Sequence, residues 1–311
     1  MTPKVSICIP AYRQTEYLRR TLDSISGQDY GDYEVVITDD TPDATVETLV
    51  REYAFGSRLA YTRNTAQLGS PANWNQAVRL SGGEYIKMLH HDDWFASASS
   101  LGEFVEMLDS NVNAGFAFSG AALRFANSGK TLRKYASDRQ LAHLRREPTC
   151  LFYGNFIGTP SSTIIRRTSF VEYPENLIWL VDLAQYIRTL QQTDFIATQR
   201  PLVISTTEAA HQITNTSIDN KRLNIYEYFY LFDQIASSIP TILRHVYVSR
   251  LVELIYKYGI RSIEEIRQSG YEGVIPPTIS ASISAYSKSS SLIRALELFR
   301  LRLYRRFRMI Y

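Results

Sequence analysis

The feature that most constrains the fold is an alternation in the first third of the chain. Short apolar runs take turns with stretches of helical periodicity. Val5-Ser-Ile-Cys-Ile9 is strand-length and almost wholly apolar, the pattern of a strand covered on both faces. Thr15 then offers an N-cap with Glu16 in the first turn, where a carboxylate favours the helix dipole. Leu18, Leu22 and Ile25 follow at four-then-three spacing, and Gly27 is the stop. Glu34–Thr38 reads as a second strand. Asp43 caps a second helix through Leu49 and Tyr53, and Leu59–Thr62 is a third strand. Pro71–Leu80 is a helix with proline near its start, stopped by Gly82-Gly83. Tyr85–Leu89 is a fourth strand.

That order, β-α-β-α-β-α-β, predicts an α/β fold with a mostly parallel sheet and helices on both faces. Ligands of such sheets bind beyond the carboxyl ends of the strands. The candidates for function are therefore Pro10-Ala11-Tyr12, Asp39-Asp40, Arg63-Asn64 and His90-His91-Asp92-Asp93.

The middle of the chain is less regular. Gly115–Gly120 and Ala122–Ala126 read as two strands, with Asn127-Ser-Gly129 as a hairpin turn. A Gly/Pro/Asn loop, Gly154–Pro160, precedes a strand over Ser162–Ile165. Asp182–Gln191 is a helix, and Phe195–Ala197 and Leu202–Thr206 are strands. After about Ile218 the pattern turns helical, over Tyr226–Ala236, Ile242–Tyr258 and Ser262–Ser269. Gly273–Ser290 has the Ser/Pro content of a linker. Ser291–Tyr311 is a basic amphipathic helix. We therefore expect an α/β domain over 1–217 and a helical extension over 218–311.

Composition removes several classes. At 45% hydrophobic and 21% charged residues, the chain is not disordered. Two cysteines, Cys8 and Cys150, exclude a disulfide scaffold and point to a reducing compartment. A net charge of +3 is too small to imply nucleic acid as a partner. The charge is uneven, however. Six arginines stand against Glu297 in the last helix, which leaves the remainder slightly negative. No membrane-spanning or secretory segment is evident, so a cytoplasmic protein is expected, or one held at the inner face of a membrane. No G-x-G-x-x-G follows the first strand, and Gly129-Lys130-Thr131 lacks the upstream glycine of a phosphate loop, since position 124 is Arg.

The carboxylates after strands carry the chemistry. Asp40, at a strand end, can accept hydrogen bonds from the imide of a base. Asp39 either does the same or caps the following helix. Asp92 and Asp93 are adjacent like charges, which a nearby cation stabilises. Oxygen-rich sites suit Mg²⁺ or Mn²⁺, and both bind phosphate oxygens. The plain alternative is a solvated turn opening a helix over Ala98–Leu108, against which the run His-His-Asp-Asp between Leu89 and Trp94 speaks.

Three blocks in order, Val5-Ser-Ile-Cys-Ile-Pro-Ala-Tyr12, Val35-Val-Ile-Thr-Asp-Asp40 and Gly83-Glu-Tyr-Ile-Lys-Met-Leu-His-His-Asp-Asp93, resemble family 2 glycosyltransferases of the GT-A fold. The resemblance continues through Leu68-Gly69, Asn73-Trp-Asn75, the loop Gly154–Ser161, Trp179-Leu-Val-Asp-Leu183 with Arg188, and Pro201-Leu-Val, over about residues 4–217. It implies an inverting transfer of a sugar from a nucleotide diphosphate sugar, UDP- or dTDP-linked, to a saccharide or lipid-linked acceptor, in polysaccharide or glycolipid biosynthesis. It places Pro10, Ala11, Tyr12, Asp39, Asp40, Asn75 and Asp92 on the nucleotide, with Tyr12 stacked on the base. It places Asp92 and Asp93 on a divalent cation and the diphosphate, and makes Asp182 the general base. His211 is the candidate for the family's late metal-side histidine.

Two positions depart from the pattern. Arg13 stands where the family usually has Asn, and His90 takes the first acidic position of the metal motif. Two other readings stay open. A nucleotidyltransferase would also use strand-end aspartates and Mg²⁺, but its glycine-rich basic loop is missing after the first strand. A non-catalytic sugar-nucleotide-binding protein of the same fold is the other. The tail Ser291–Tyr311 alternates Leu292, Ile293, Leu296, Phe299, Leu303 and Phe307 with arginines, which suits an anionic membrane surface. The plain alternative is packing on the protein's own body or on a second copy of the chain.

Overall fold

The computed structural model describes residues 2–209 and 211–310, with the side chains of 309 and 310 excepted. The first elements are β1 (Val5–Ala11), α1 (Thr15–Ser26), β2 (Tyr33–Asp39), α2 (Thr45–Val50), β3 (Leu59–Arg63), α3 (Ala72–Arg79) and β4 (Tyr85–Met88). They follow the sequence reading closely. Every residue of β1 is buried, as a strand between two helical layers requires. β1 runs parallel to β2 on one side and β4 on the other, with Ile7 opposite both Val35 and Lys87. Leu18, Leu22 and Ile25 of α1 face this sheet, fully buried.

The caps differ from expectation. Thr15 is already helical. The residue before it, Gln14, takes the left-handed conformation (φ 45°, ψ 44°) without a side-chain cap. Asp43 acts two positions before α2, whose N-cap is Ala44, accepting from the backbone N–H of Thr45 at 2.9 Å and from its hydroxyl at 2.6 Å.

Beyond β4 come β5 (Asp93–Phe95), α4 (Ser100–Asp109), β6 (Ala114–Phe125), β7 (Thr131–Lys134), α5 (Asp138–Arg146), β8 (Thr163–Arg166), α6 (Val181–Leu190) and β9 (Asp194–Thr207). Among the described residues nine strands form one sheet in the order β3-β2-β1-β4-β8-β6-β9-β5, with β7 beside β6. Strands β1 to β4 are parallel, β8 is antiparallel to both of its neighbours, and β6 is parallel to β9.

Two expectations are corrected here, and one plain alternative falls. The two strands read over Gly115–Ala126 are one, β6, and the two read over Phe195–Thr206 are one, β9. Their pairing slips between Ser119/Thr198 and Gly120/Pro201. At the slip a Cβ on Gly120 would lie 2.6 Å from the carbonyl oxygen of Gln199. A glycine there admits the bulge, and the bulge breaks the apolar run that marks a strand. The run after Asp92 is likewise not a turn into a helix. Asp93 opens β5, which pairs antiparallel with β9, Asp93 opposite Ser205.

The chain divides into two compact units. One comprises residues 1–137, 156–176 and 185–212 and contains the whole sheet. The other comprises 138–155, 177–184 and 213–311. The second unit is helical: α5, the start of α6, α7 (Ile213–Ser217), α8 (Lys221–Ile235), α9 (Arg244–Tyr258), α10 (Ile263–Arg267), α11 (Pro277–Lys288) and α12 (Ser291–Ile310). Asn220 caps α8 and Ser262 caps α10 through their side-chain oxygens. Helix α11 occupies the stretch expected to be a linker. Pro277 starts it, and Ile279 and Ile283, one turn apart, are both buried. The serines around them mask that stripe in the sequence. Helix α12 matches the expected tail helix; Tyr311 lies outside the described residues.

Candidate functional site

In the sheet-bearing unit the carboxyl ends of β1, β2 and β4 gather most of the residues singled out. After β1, Pro10 and Ala11 are buried and Tyr12 is half-buried under the Arg13 guanidinium, 5.1 Å from its ring. Arg13 and Gln14 both have positive φ, 56° and 45°. Two consecutive non-glycine residues in that region cost of order 1 kcal/mol each. The backbone N–H of Arg13 is held at 2.7 Å by the hydroxyl of Thr41, after β2.

The two aspartates ending β2 behave differently. Asp39 is fully buried. It accepts from the N–H of Thr41 at 2.8 Å and from the hydroxyl of Tyr61 at 2.7 Å, so it ties strand ends together. Asp40 accepts from the Asn64 amide at 2.7 Å and from the backbone N–H groups of Leu68 and Gly69 at 3.0 and 2.8 Å. It therefore holds the Leu68-Gly69 loop at the edge of the crevice. Asn75 has no share in that crevice. Its amide donates to the carbonyl of Tyr173 and to Glu175, and accepts from the N–H of Tyr173. In the same motif Asn73 donates to the carbonyl of Thr38 at 3.0 Å and accepts from the Asn64 amide at 3.0 Å, and the Trp74 ring lies 4.5 Å from that of His90.

After β4 the chain turns through His90–Asp93, closed by the N–H of Asp93 on the carbonyl of His90 at 3.0 Å. Asp92 accepts from His211 Nε2 at 3.1 Å and from the Gln212 amide at 3.3 Å. Asp93 accepts from the N–H of Thr206 and from the hydroxyl of Thr159, both at 3.2 Å. Burial raises the pKa of Asp93, and the neighbouring Asp92 raises it further. Burial opposes ionisation of Asp92 too, but the His211 hydrogen bond outweighs it and holds the carboxyl below the ordinary carboxylate range.

The histidines are arranged as donors. Burial pushes His90 down to about 4 and lowers His91, so both are neutral at neutral pH. His91 Nδ1 lies 3.3 Å from the carbonyl oxygen of Pro10. A carbonyl only accepts, so that nitrogen carries the proton and Nε2 keeps its lone pair. The Nε2 atoms of His90 and His91 are buried without a hydrogen-bond partner. His91, Asp92 and His211 form one set whose ligand atoms all lie within 4.8 Å of one another; His90, Asp92 and Asp93 form another.

Sequence reasoning missed what supports this cluster. Lys87 is fully buried on β4. It donates to the carbonyls of Ser161 and Thr163, in the turn after the loop 154–160. Ser161 in turn accepts from the N–H of His90 at 3.0 Å. A charged residue in an otherwise apolar strand was the only available signal.

Asp182 lies in the other unit, in the first turn of α6. Its carboxylate accepts from the Asn155 amide at 2.7 Å and from the N–H of Leu183 at 2.8 Å. Glu227 of α8, buried and unremarked in the sequence, accepts from the N–H groups of Ile178, Trp179 and Leu180 at 2.5 to 3.1 Å. It clamps the backbone leading into Asp182.

Known proteins are similar to this chain. An uncharacterized glycosyltransferase of Haemophilus influenzae is 23% identical over 192 residues, 62% of this chain and 60% of that protein, so the chain spans about 60% of that relative's length. S. aureus TarS 1-349 in complex with UDP-GlcNAc superposes with a TM-score of 0.61 at 16% identity, over 99% of this chain and 88% of that one. The mannosyltransferase PcManGT from Pyrobaculum calidifontis, in complex with GDP-Man and Mn²⁺, gives 0.56 at 14% identity, over 100% and 88%. These likenesses bear out the expected GT-A type fold. The profile described as Glycosyl transferase family 2 matches residues 6–173, from β1 past the carboxylates after β4, more than half of the chain; the chain belongs to that family.

Proposed function

We propose that the chain transfers a sugar from a UDP- or dTDP-sugar to an acceptor hydroxyl, with inversion, and that residues 1–217 are its catalytic domain. The observation that carries this reading is the buried pair Asp92-Asp93 beside two imidazoles whose Nε2 atoms have no partner. A carboxylate pair next to neutral nitrogen donors fits a divalent cation, and the mixed N,O set suits Mn²⁺ better than Mg²⁺, which keeps to oxygen. Asp92 and Asp93 would hold it, with His90, His91 and His211 as the available nitrogens. When bound, such a cation neutralises the charge on a departing diphosphate.

The residues of the chain do the rest. Tyr12, half-exposed after β1, offers a face for the base. Asp40 has used three acceptor positions on the chain itself. A carboxylate has about four, so one remains for the imide N–H of uracil or thymine. Pro10 and Ala11 line the same strand end. Asp39 supports the crevice from behind by tying the strand ends together. Asp182 takes the proton of the acceptor hydroxyl as its oxygen bonds to the anomeric carbon, and the electrons of the breaking glycosidic bond leave on the diphosphate. Two N–H donors on its carboxylate, and its place in the first turn of α6, favour the ionised form a base needs. The acceptor class is a saccharide or lipid-linked saccharide, in assembly of a polysaccharide or glycolipid, by analogy with the family.

A thermal-shift screen of UDP-, dTDP- and GDP-sugars, with and without Mn²⁺, tests this. A UDP- or dTDP-sugar should raise the melting temperature only with the cation present, and the same compound should be slowly hydrolysed. No shift from any of them under either condition would refute the reading.

A further inference from the structure

Helix α12 is inverted with respect to ordinary burial. At 100° per residue, Leu292, Leu296, Phe299 and Leu303 form one stripe with Ile293 beside it. These five side chains are 44–69% exposed, and Phe307, on the same stripe, is 53% exposed. The opposite face packs on its own unit, largely through arginines. Arg294 lies 4.4 Å over the ring of Tyr286 and donates to that residue's carbonyl. Arg305 pairs with Glu253 of α9 at 3.0 Å, and Arg308 reaches toward Glu147 at 4.0 Å. Leu301 is the apolar residue buried among them. The helix thus buries guanidinium groups and presents leucine and phenylalanine to water, which costs free energy unless something apolar covers the stripe.

The charge around the stripe selects what covers it. Arg302 and Arg306 are exposed along one border and Arg300 along the other, and Glu297 is the helix's single acid, already bonded to Arg300. A second copy docking through this face would set two such arginine borders against each other. An anionic lipid surface would not: it offers acyl chains to the stripe and phosphates to the borders. We infer that α12 lies in the headgroup region of an anionic membrane, its stripe turned into the bilayer and Arg300, Arg302 and Arg306 on lipid phosphates. Among the described residues no helix is long and apolar enough to cross a membrane. The inference does not depend on which donor the enzyme uses.

Sedimentation of the full chain with vesicles tests it. The protein should pellet with vesicles of phosphatidylcholine and phosphatidylglycerol at low salt, and much less with phosphatidylcholine alone or at high salt. Leu296→Ser/Phe299→Ser/Leu303→Ser should abolish pelleting without lowering the melting temperature, because those side chains face solvent. Arg302→Glu/Arg306→Glu should weaken partitioning by about fivefold or more per residue. Failure of the wild type to pellet overturns the inference. So does a serine variant that pellets equally, or one that melts earlier, which would show the stripe packed on protein. A wild-type dimer in analytical ultracentrifugation that the serine variant dissociates would give the face to a second copy instead.

Discussion

Lys87→Met isolates the buried ammonium beneath the candidate site. Lys87 has no exposed surface. Its Nζ faces the carbonyls of Ser161, Thr163 (3.1 Å) and Met88 (3.4 Å) and lies 4.4 Å over the ring of Phe104. Burial pushes the amine down from 10.5 to about 7, and the charge of Asp93 offsets only part of that. The unfolded chain therefore binds this proton between about pH 7 and 10.5 while the folded chain does not, so the lysine's contribution to stability rises with pH across that window. Below it both states are protonated and the full cost of the buried charge is paid. At 1.36 kcal/mol per pH unit, the interval amounts to about 5 kcal/mol. Methionine matches the length without charge or titration. The lost hydrogen bonds shift the wild-type-minus-variant difference by a constant, but its slope belongs to the proton. Urea unfolding at several pH values should show the difference moving toward the wild type by about 1.4 kcal/mol per unit above pH 7. A difference that stays flat to pH 10 would refute the argument, because it would mean that the amine keeps its charge inside the sheet.

Other outcomes follow from the same contacts. Asp92→Ala and Asp93→Ala should each remove most transfer activity and the Mn²⁺-dependent part of the donor-induced thermal shift while the melting temperature of the metal-free protein holds; full activity of both in excess EDTA would exclude a metal role. Asp182→Asn should keep donor binding and lower kcat by about 10² or more, and a wild-type kcat would leave Asp182 as a first-turn helix residue only. Gly83→Ala should lower stability by about 1–3 kcal/mol in denaturant unfolding, since its Cβ would lie 2.6 Å from the backbone nitrogen of Ser6 and 2.8 Å from the carbonyl carbon of Val5; an unchanged midpoint would show that β1 can shift.

What the sequence made legible follows from where the signal was local. Strands β1, β2 and β4 are short, apolar and buried, half-exposed β3 lies between two of the helical stretches, and the alternation with helical periodicity located all four. Strands β6 and β9 were split because their pairing slips at Gly120 and Pro201, and a bulge looks like a strand end in one dimension. Helix α11 was hidden by serines because two isoleucines suffice to anchor it. The four residues His90–Asp93 were legible as a cluster because they are adjacent. Their supports were not, since Thr159, Ser161, Thr206 and Lys87 come from three other strands or turns and carry no pattern of their own. Glu227 likewise acts on a segment far back in the chain.

The sequence contains two Asp-Asp pairs, each just after a buried strand, and it treats them alike. Hydrogen-bond accounting separates them. Asp39 and Asp40 together accept five bonds from the chain at 2.7–3.0 Å, from N–H and O–H donors that belong to fixed backbone or buried side chains. Their acceptor positions are met from within the chain. Asp92 and Asp93 accept from His211, Gln212, Thr206 and Thr159 at 3.1–3.3 Å, sit side by side, and have at their backs a lysine whose charged form burial disfavours. Beside them the Nε2 atoms of two imidazoles are buried without a hydrogen-bond partner, and that of His91 keeps its lone pair. A buried carboxylate with weak partners and a buried lone pair with none each cost folding free energy. On the function proposed above, one species would relieve both costs together, a cation that accepts electron pairs from oxygen and nitrogen alike. The bonds of the first pair thus go to building the crevice, and the second pair is where we propose that the cation sits.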